Sequence, residues 1–325
     1  MIQDNITQIK FLLKKQGPLS LVYRLVFFIL SRTNQYLDNL KYFLYEKNNN
    51  PIISVEGSLM KLNSKDKGLS KDLLLHKKRE HLSTDFIKSF IKEEDIIIDI
   101  GANIGYYALL EAKIAKKGKV YAIEPVSENR KFLIENIKLN NYKNISVYPY
   151  AISDKTGKKQ IYVYDKKNWS SFTKNPFGKI IKNDEVNAIK LDDFIKLNLK
   201  KSPTFIRMDT EGHEYEIING MKKILESKKP LKLFIEFHSL FLSEKKIKEV
   251  MNVLKDNNFK IIKIFNEIHP QNHKSLELFC YLCRKIGFHE FGEFKKTDYN
   301  SLRSLLLEGY STGMFYFPEV FFERK

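Results

Sequence analysis

From Asp95 onward, short β-branched runs alternate with segments of helical period. The pattern predicts strands over 95–100, 119–124, 145–150, 203–209, 230–236 and 259–265, and helices over 104–116, 127–140, 191–197, 214–227 and 244–257. Strands linked by crossover helices build a parallel sheet covered on both faces. A further strand is expected at 277–283; no helix-length segment separates it from its predecessor, so it should run antiparallel. Between 151 and 190 the pattern lapses, leaving one alternating stretch, Ile161–Tyr164, and the loop 165–178. Upstream, residues 1–47 read as helical with a break at Gly17-Pro18. A polar linker at 47–51, a hairpin of Ile52–Val55 and Leu59–Leu62 turning at Gly57, and a helix over 84–91 follow.

Composition narrows this picture. Hydrophobic residues make up 43% of the 325, which suits a globular α/β protein with a large core. The net charge of +17 invites nucleic acid or anionic lipid as a partner, yet the Lys pairs are scattered along the chain, as on a solvated surface. Cys280 and Cys283 are the only cysteines, so a disulfide framework is excluded and a cytoplasmic setting fits. Leu19–Leu30 is interrupted by Arg24 and is shorter than the roughly 20 residues a spanning helix needs. With Lys10, Lys14, Lys15, Arg24 and Arg32 alongside, residues 1–47 could contact a membrane peripherally; packing on the main domain is the preferred expectation.

The chemistry centres on DIGANIGYY, where the first core strand turns sharply into a helix. Gly101 and Gly105 let a ligand lie close to the backbone. Asn103 stands where a dinucleotide-binding turn carries its middle glycine, and Asp99, an acid just before the turn, repels phosphate but suits an ammonium group. Glu124 ends the next strand, at the position from which α/β folds hold ribose hydroxyls. S-adenosylmethionine, with an ammonium, a sulfonium and no phosphate, fits this set better than NAD.

DIGANIGYY, VYAIEP and DTEGHEYEIINGM, in this order, resemble the FkbM family of S-adenosylmethionine-dependent methyltransferases. The resemblance spans roughly Arg79 to Arg284. It implies a class I methyltransferase (Rossmann-like) fold: a mostly parallel seven-stranded sheet with an antiparallel last strand, helices on both faces and an N-terminal helical extension. It also implies O-methylation of a sugar, glycan or glycolipid. Asp99, Gly101, Asn103 and Gly105 then line the methionine end of the cofactor, Glu124 holds its ribose, and Ala151 and Asp154 lie near the adenine. The serine-rich segment Trp169, Ser170, Ser171 is expected at the acceptor. The division that follows is 1–50 as extension and linker, 51–92 as lead-in hairpin and helix, 93–284 as the methyltransferase domain, and 285–325 as a C-terminal extension.

A second constellation lies at two later strand ends. In IRMDTEGHE, Asp209 and Glu211 share a face if the strand persists that far; in IEFH, Glu236 and His238 do. Such a cluster beside the cofactor turn can align an acceptor hydroxyl and take its proton; Asp209 also borders the cofactor, and His213 is a further acceptor-side candidate. The same four side chains could ligate a divalent cation, but the resemblance implies none and no metal is expected. Alternatives are an RNA methyltransferase, against which no RNA-binding module is visible, and a non-catalytic cofactor-binding scaffold at a membrane surface. Cys280-x-x-Cys283 and Tyr281-x-x-x-Lys285 fall in an expected strand and are set aside as chance patterns.

Overall fold

The computed structural model describes residues 18–45, 50–176, 178–266, 292–294, 297–312 and 317–325. Helix α1 (Pro18–Tyr45) leads into the hairpin β1 (Ile52–Val55) and β2 (Ser58–Lys61), then α2 (Leu69–His76) and α3 (His81–Phe90). The core begins with β3 (Ile96–Ile100), α4 (Tyr106–Ile114), β4 (Lys119–Ile123), α5 (Ser127–Leu139) and β5 (Ile145–Tyr148). After β6 (Tyr150–Ser153), β7 (Gly157–Tyr164) and β8 (Ile180–Lys190) come α6 (Leu191–Asn198), β9 (Phe205–Met208), α7 (Glu214–Asn219) and α8 (Lys222–Glu226). The chain continues through β10 (Leu231–Glu236), α9 (Glu244–Asp256), β11 (Lys260–Asn266), β12 (Gly292–Glu293), α10 (Tyr299–Thr312) and β13 (Glu319–Arg324).

Eight strands form the main sheet in the order β12-β11-β13-β10-β9-β3-β4-β5. The run from β10 to β5 is parallel. Alternation along β3 sends Ile97 into one buried cluster, with Val120, Phe205 and Phe234, and Ile98 into the other, with Ile206, Ile235 and Phe237. Helices can therefore cover both faces. The chain moves outward from β3 to β4 and β5 on one side and from β9 to β10 on the other. That reversal opens a crevice at the carboxyl ends of β3 and β9.

Several elements depart from the sequence pattern. The antiparallel place in the sheet is filled by β13, hydrogen-bonded to both β10 and β11; the strand expected at 277–283 lies outside the described residues, together with Cys280, Cys283, Tyr281 and Lys285. The eighth strand is the two-residue β12 at the edge of β11. What reads as one strand over 145–150 is two, broken at Pro149, which has no N–H to give to a ladder. The excursion is a small sheet of order β6-β8-β7. Its longest strand, β8, escaped the pattern because its outer half, Ile180–Lys182 and Asn183, is exposed on both faces. Helix α2 likewise lay hidden in a stretch that reads as polar.

Candidate active site

The turn after β3 is built from three residues with left-handed backbones, Gly101 (φ 85°), Asn103 (φ 50°) and Gly105 (φ 100°). A Cβ on Gly101 would stand 2.0 Å from the Asp209 carbonyl oxygen, so the turn and the end of β9 touch backbone to backbone. A Cβ on Gly105 would meet Leu133 Cδ1 at 2.7 Å. Gly105 thus lets α4 close on α5 and stands off the cleft, where the resemblance had placed it.

Glu124, at the tip of β4, is buried. It accepts the Asn103 N–H at 2.9 Å and the Val126 N–H at 2.8 Å, tying the two turns together. Burial pushes its carboxyl up to about 7 against those two donors. With Gly101, Asn103, Ala151, Ile152 and Asp209 it lines an open cleft. The amide oxygen of Asn103 is buried without a partner.

Asp99 does not reach that cleft. It is fully buried behind the wall, and its Oδ1 accepts from Arg207 Nη1 at 3.0 Å; Nη2 of the same guanidinium reaches Asp209 Oδ2 at 3.0 Å. Arg207 lines the cleft in its place and stacks over the Tyr107 ring at 3.9 Å. Asp154 also lies off the lining, turned toward Ser153 and Lys159.

On the other side of the cleft, β9 ends at Met208, so the alternation expected for Asp209 and Glu211 does not apply. Glu211 adopts a left-handed backbone (φ 51°) ahead of Gly212 (φ 95°), where a Cβ would strike Phe241 at 2.5 Å. Ser171 Oγ pins the turn by donating to the Glu211 carbonyl at 2.7 Å. The turn nonetheless brings Asp209 and Glu211 to His238, with one ligand atom of each within 4.8 Å of the others, a group able to hold a metal ion. His238 Nδ1 lies 2.9 Å from Glu214 Oε1, and Nε2 lies 3.4 Å from Glu211 Oε2 and 3.8 Å from Glu236 Oε1. Burial opposes a charge on His238, but the three carboxylates outweigh it and hold its pKa well above the ordinary value. Burial drives Glu211 up to about 7 and Glu236 well above the carboxylate range, with the Asp209 charge adding to both.

Asp209 and Glu211 face the cleft; Glu236 and His238 stand behind them, Glu236 beside Glu80 and Glu319. His213 lines the cleft from the side of β6. Its Nε2 is 3.0 Å from Ser153 Oγ, its ring packs on Phe172 at 4.5 Å, and burial lowers its pKa to about 4. Of the serine-rich segment only Ser170 reaches the lining; Trp169 is covered by the Lys166 ammonium at 3.7 Å, and Ser171 is spent on the Glu211 carbonyl. Sequence reasoning passed over Arg79 and Arg207, which line the cleft, and Glu214, which orients His238. Arg207 carried a visible signal, a charge inside the buried strand FIRM.

The methyltransferase FkbM domain matches residues 99–261, half of the chain and the span that carries both turns and the carboxylate cluster. The hexuronic acid methyltransferase AglP of Haloferax volcanii is 26% identical over 183 residues, 52% of this chain and 71% of that protein. A solved FkbM methyltransferase of Methylobacillus flagellatus KT is 21% identical at a TM-score of 0.39, covering 53% of this chain and 40% of that one. The TYW2 protein of M. jannaschii, solved in complex with AdoMet, is 17% identical at a TM-score of 0.42 and covers 86% and 88% of the two chains. By the domain match, the chain belongs to the FkbM methyltransferase family.

Proposed function

We propose that the protein transfers a methyl group from S-adenosylmethionine to a hydroxyl of a sugar, glycan or glycolipid. The observation that carries this reading is the shared cleft: the Gly101–Glu124 cradle and the Asp209–Glu211 carboxylates open onto one space. The relative AglP, a hexuronic acid methyltransferase, supports a saccharide acceptor.

The residues suit this cofactor. Gly101 lets the turn close directly on the end of β9 in the cleft wall, the Asn103 amide oxygen is buried without a partner, and apolar Ile123, Val126 and Ile152 line the cleft beside Glu124. Glu124 would accept the ribose hydroxyls, Asn103 and Asp209 would meet the amino acid end, and Ala151 the adenine. Bound there, the cofactor supplies an electrophilic methyl group. Glu211 takes the proton of the attacking hydroxyl, its pKa near 7 matching that task. Protonated His238 steadies the ionised form of Glu211, and Glu214 keeps His238 in place. Ser170 and His213 are positioned to touch the acceptor.

Glu124→Gln keeps the size but loses one acceptor oxygen, and should raise the dissociation constant for S-adenosylmethionine about tenfold, by roughly the 1.4 kcal/mol of one charged hydrogen bond. Calorimetry reads this directly; unchanged affinity would move the ribose elsewhere. The cation on His238 already answers the surrounding carboxylates, so chelation should leave turnover largely intact. Complete loss that added divalent ion restores would instead place a metal among Asp209, Glu211 and His238. The function itself is tested by offering methyl-labelled cofactor to separated glycan, lipid and RNA fractions. Label in glycan or glycolipid is expected; label confined to RNA would overturn the reading.

A further inference from the structure

Helix α1 turns an apolar side to solvent. Val22, Leu25, Ile29, Tyr36, Leu40 and Phe43 are each 53% to 70% exposed. They follow one another at steps of 3, 4, 7, 4 and 3 residues, which on a helix is a single stripe. The other side holds the body of the protein: Asn34 and Tyr42 are buried, Tyr42 donates to the Asp66 carbonyl at 3.3 Å, Asp38 meets His76 Nε2 at 3.3 Å, and Asn39 accepts from Lys71 at 2.5 Å. Among the described side chains, polar contacts thus hold this side of the helix against the body of the protein, while the apolar stripe stays exposed. Among the described residues no helix is long and apolar enough to cross a membrane.

Charge selects the occupant of the stripe. Between Asn5 and Leu37 the sequence holds Lys10, Lys14, Lys15, Arg24 and Arg32 and no acidic residue. Exposed Arg32 borders the stripe at the helical repeat of about 100° per residue. A second copy laid on this face would set cation against cation, whereas an anionic lipid surface pairs with them while taking the stripe into its acyl boundary. We infer that α1 lies in the interface of an anionic membrane and holds the protein at its surface. Helix α1 rests on α2, whose first residue, Leu69, lines the cleft, so the anchorage places the cleft beside the lipid phase. The inference stands on this surface and does not rest on the methyl-transfer reading.

The test is sedimentation of the full chain with vesicles of phosphatidylcholine, with and without phosphatidylglycerol, at low and high salt. Binding to the anionic vesicles, weaker by more than about tenfold on neutral ones and reduced by salt, is expected. Leu25→Glu/Ile29→Glu/Leu40→Glu should lose at least about tenfold in binding, because each change puts a charge where the acyl boundary begins. Should that variant misfold, Arg32→Glu carries the test and should weaken binding to anionic vesicles while the variant keeps the far-ultraviolet circular dichroism of the parent. Failure of the parent chain to bind anionic vesicles would overturn the inference, as would a parent dimer that the apolar-stripe variant dissociates. Equal vesicle binding by parent and both variants would overturn it too.

Discussion

Glu211→Gln should lower kcat by about 10²–10⁴, the usual contribution of a positioned general base, while affinity for S-adenosylmethionine changes less than twofold. The amide keeps the size of the side chain and its left-handed turn, and Ser171 still holds the backbone carbonyl. His238 keeps its contact with Glu214 at 2.9 Å. What disappears is the group that accepts the proton. The parent enzyme also carries a pH signature. Burial lifts Glu211 to about 7, and only its ionised form is a base, so turnover should climb as pH rises toward 7 and level off above it. Below 7 it should fall about tenfold per unit. In the variant that acidic limb should vanish. Full turnover in Glu211→Gln, or loss of turnover caused by loss of cofactor binding, would place the base elsewhere.

Arg207→Met should cost about 3–5 kcal/mol of folding stability, measured as a drop in the urea midpoint or melting temperature. The guanidinium is the cation of a buried set: Asp99, with no exposed surface, is bound at 3.0 Å, and Asp209 is bound by its other arm. Glu111 is buried nearby without a hydrogen-bond partner, and burial, reinforced by the Asp99 charge, lifts it well above the carboxylate range. Removal of Arg207 leaves Asp99 facing Asp209 and Glu111 with no compensating charge. The double variant Arg207→Met/Asp99→Asn should recover part of the loss, since the amide needs no cation. A cost below about 1 kcal/mol for the single change would mean that Asp99 is already neutral, and the pair would then be an ordinary hydrogen bond.

Local chemistry made some of this site legible before any fold was known. A β-branched run, two glycines and an acid at the next strand end all report on a few neighbouring residues, and the structure sets Gly101 and Glu124 on one cleft wall. Asp99 was misplaced for a reason the one-dimensional pattern does not carry: the cation that claims it comes from β9, across the sheet ladder. The grouping of Asp209 and Glu211 was anticipated through strand alternation, but the cause is a left-handed turn, which only Gly212 hinted at. The serine-rich segment gave no hint that the Lys166 ammonium would cover the Trp169 ring. β13 could not have been placed from its neighbours, because Val320-Phe321-Phe322 reads equally well as any buried strand.

The position of β13 also bears on the order in which the molecule can be assembled. The strand is translated after every other strand of the main sheet, yet it belongs between β10 and β11. Until it arrives on the ribosome, two apolar strand edges stand open, side by side, each a template for another chain. Its first residue, Glu319, then completes the carboxyl group that includes Glu80 and Glu236 beneath the cleft. The last stitch of the sheet thus also completes a buried carboxyl cluster behind the site, so a chain stopped just short of it would lack both the closing strand and that cluster.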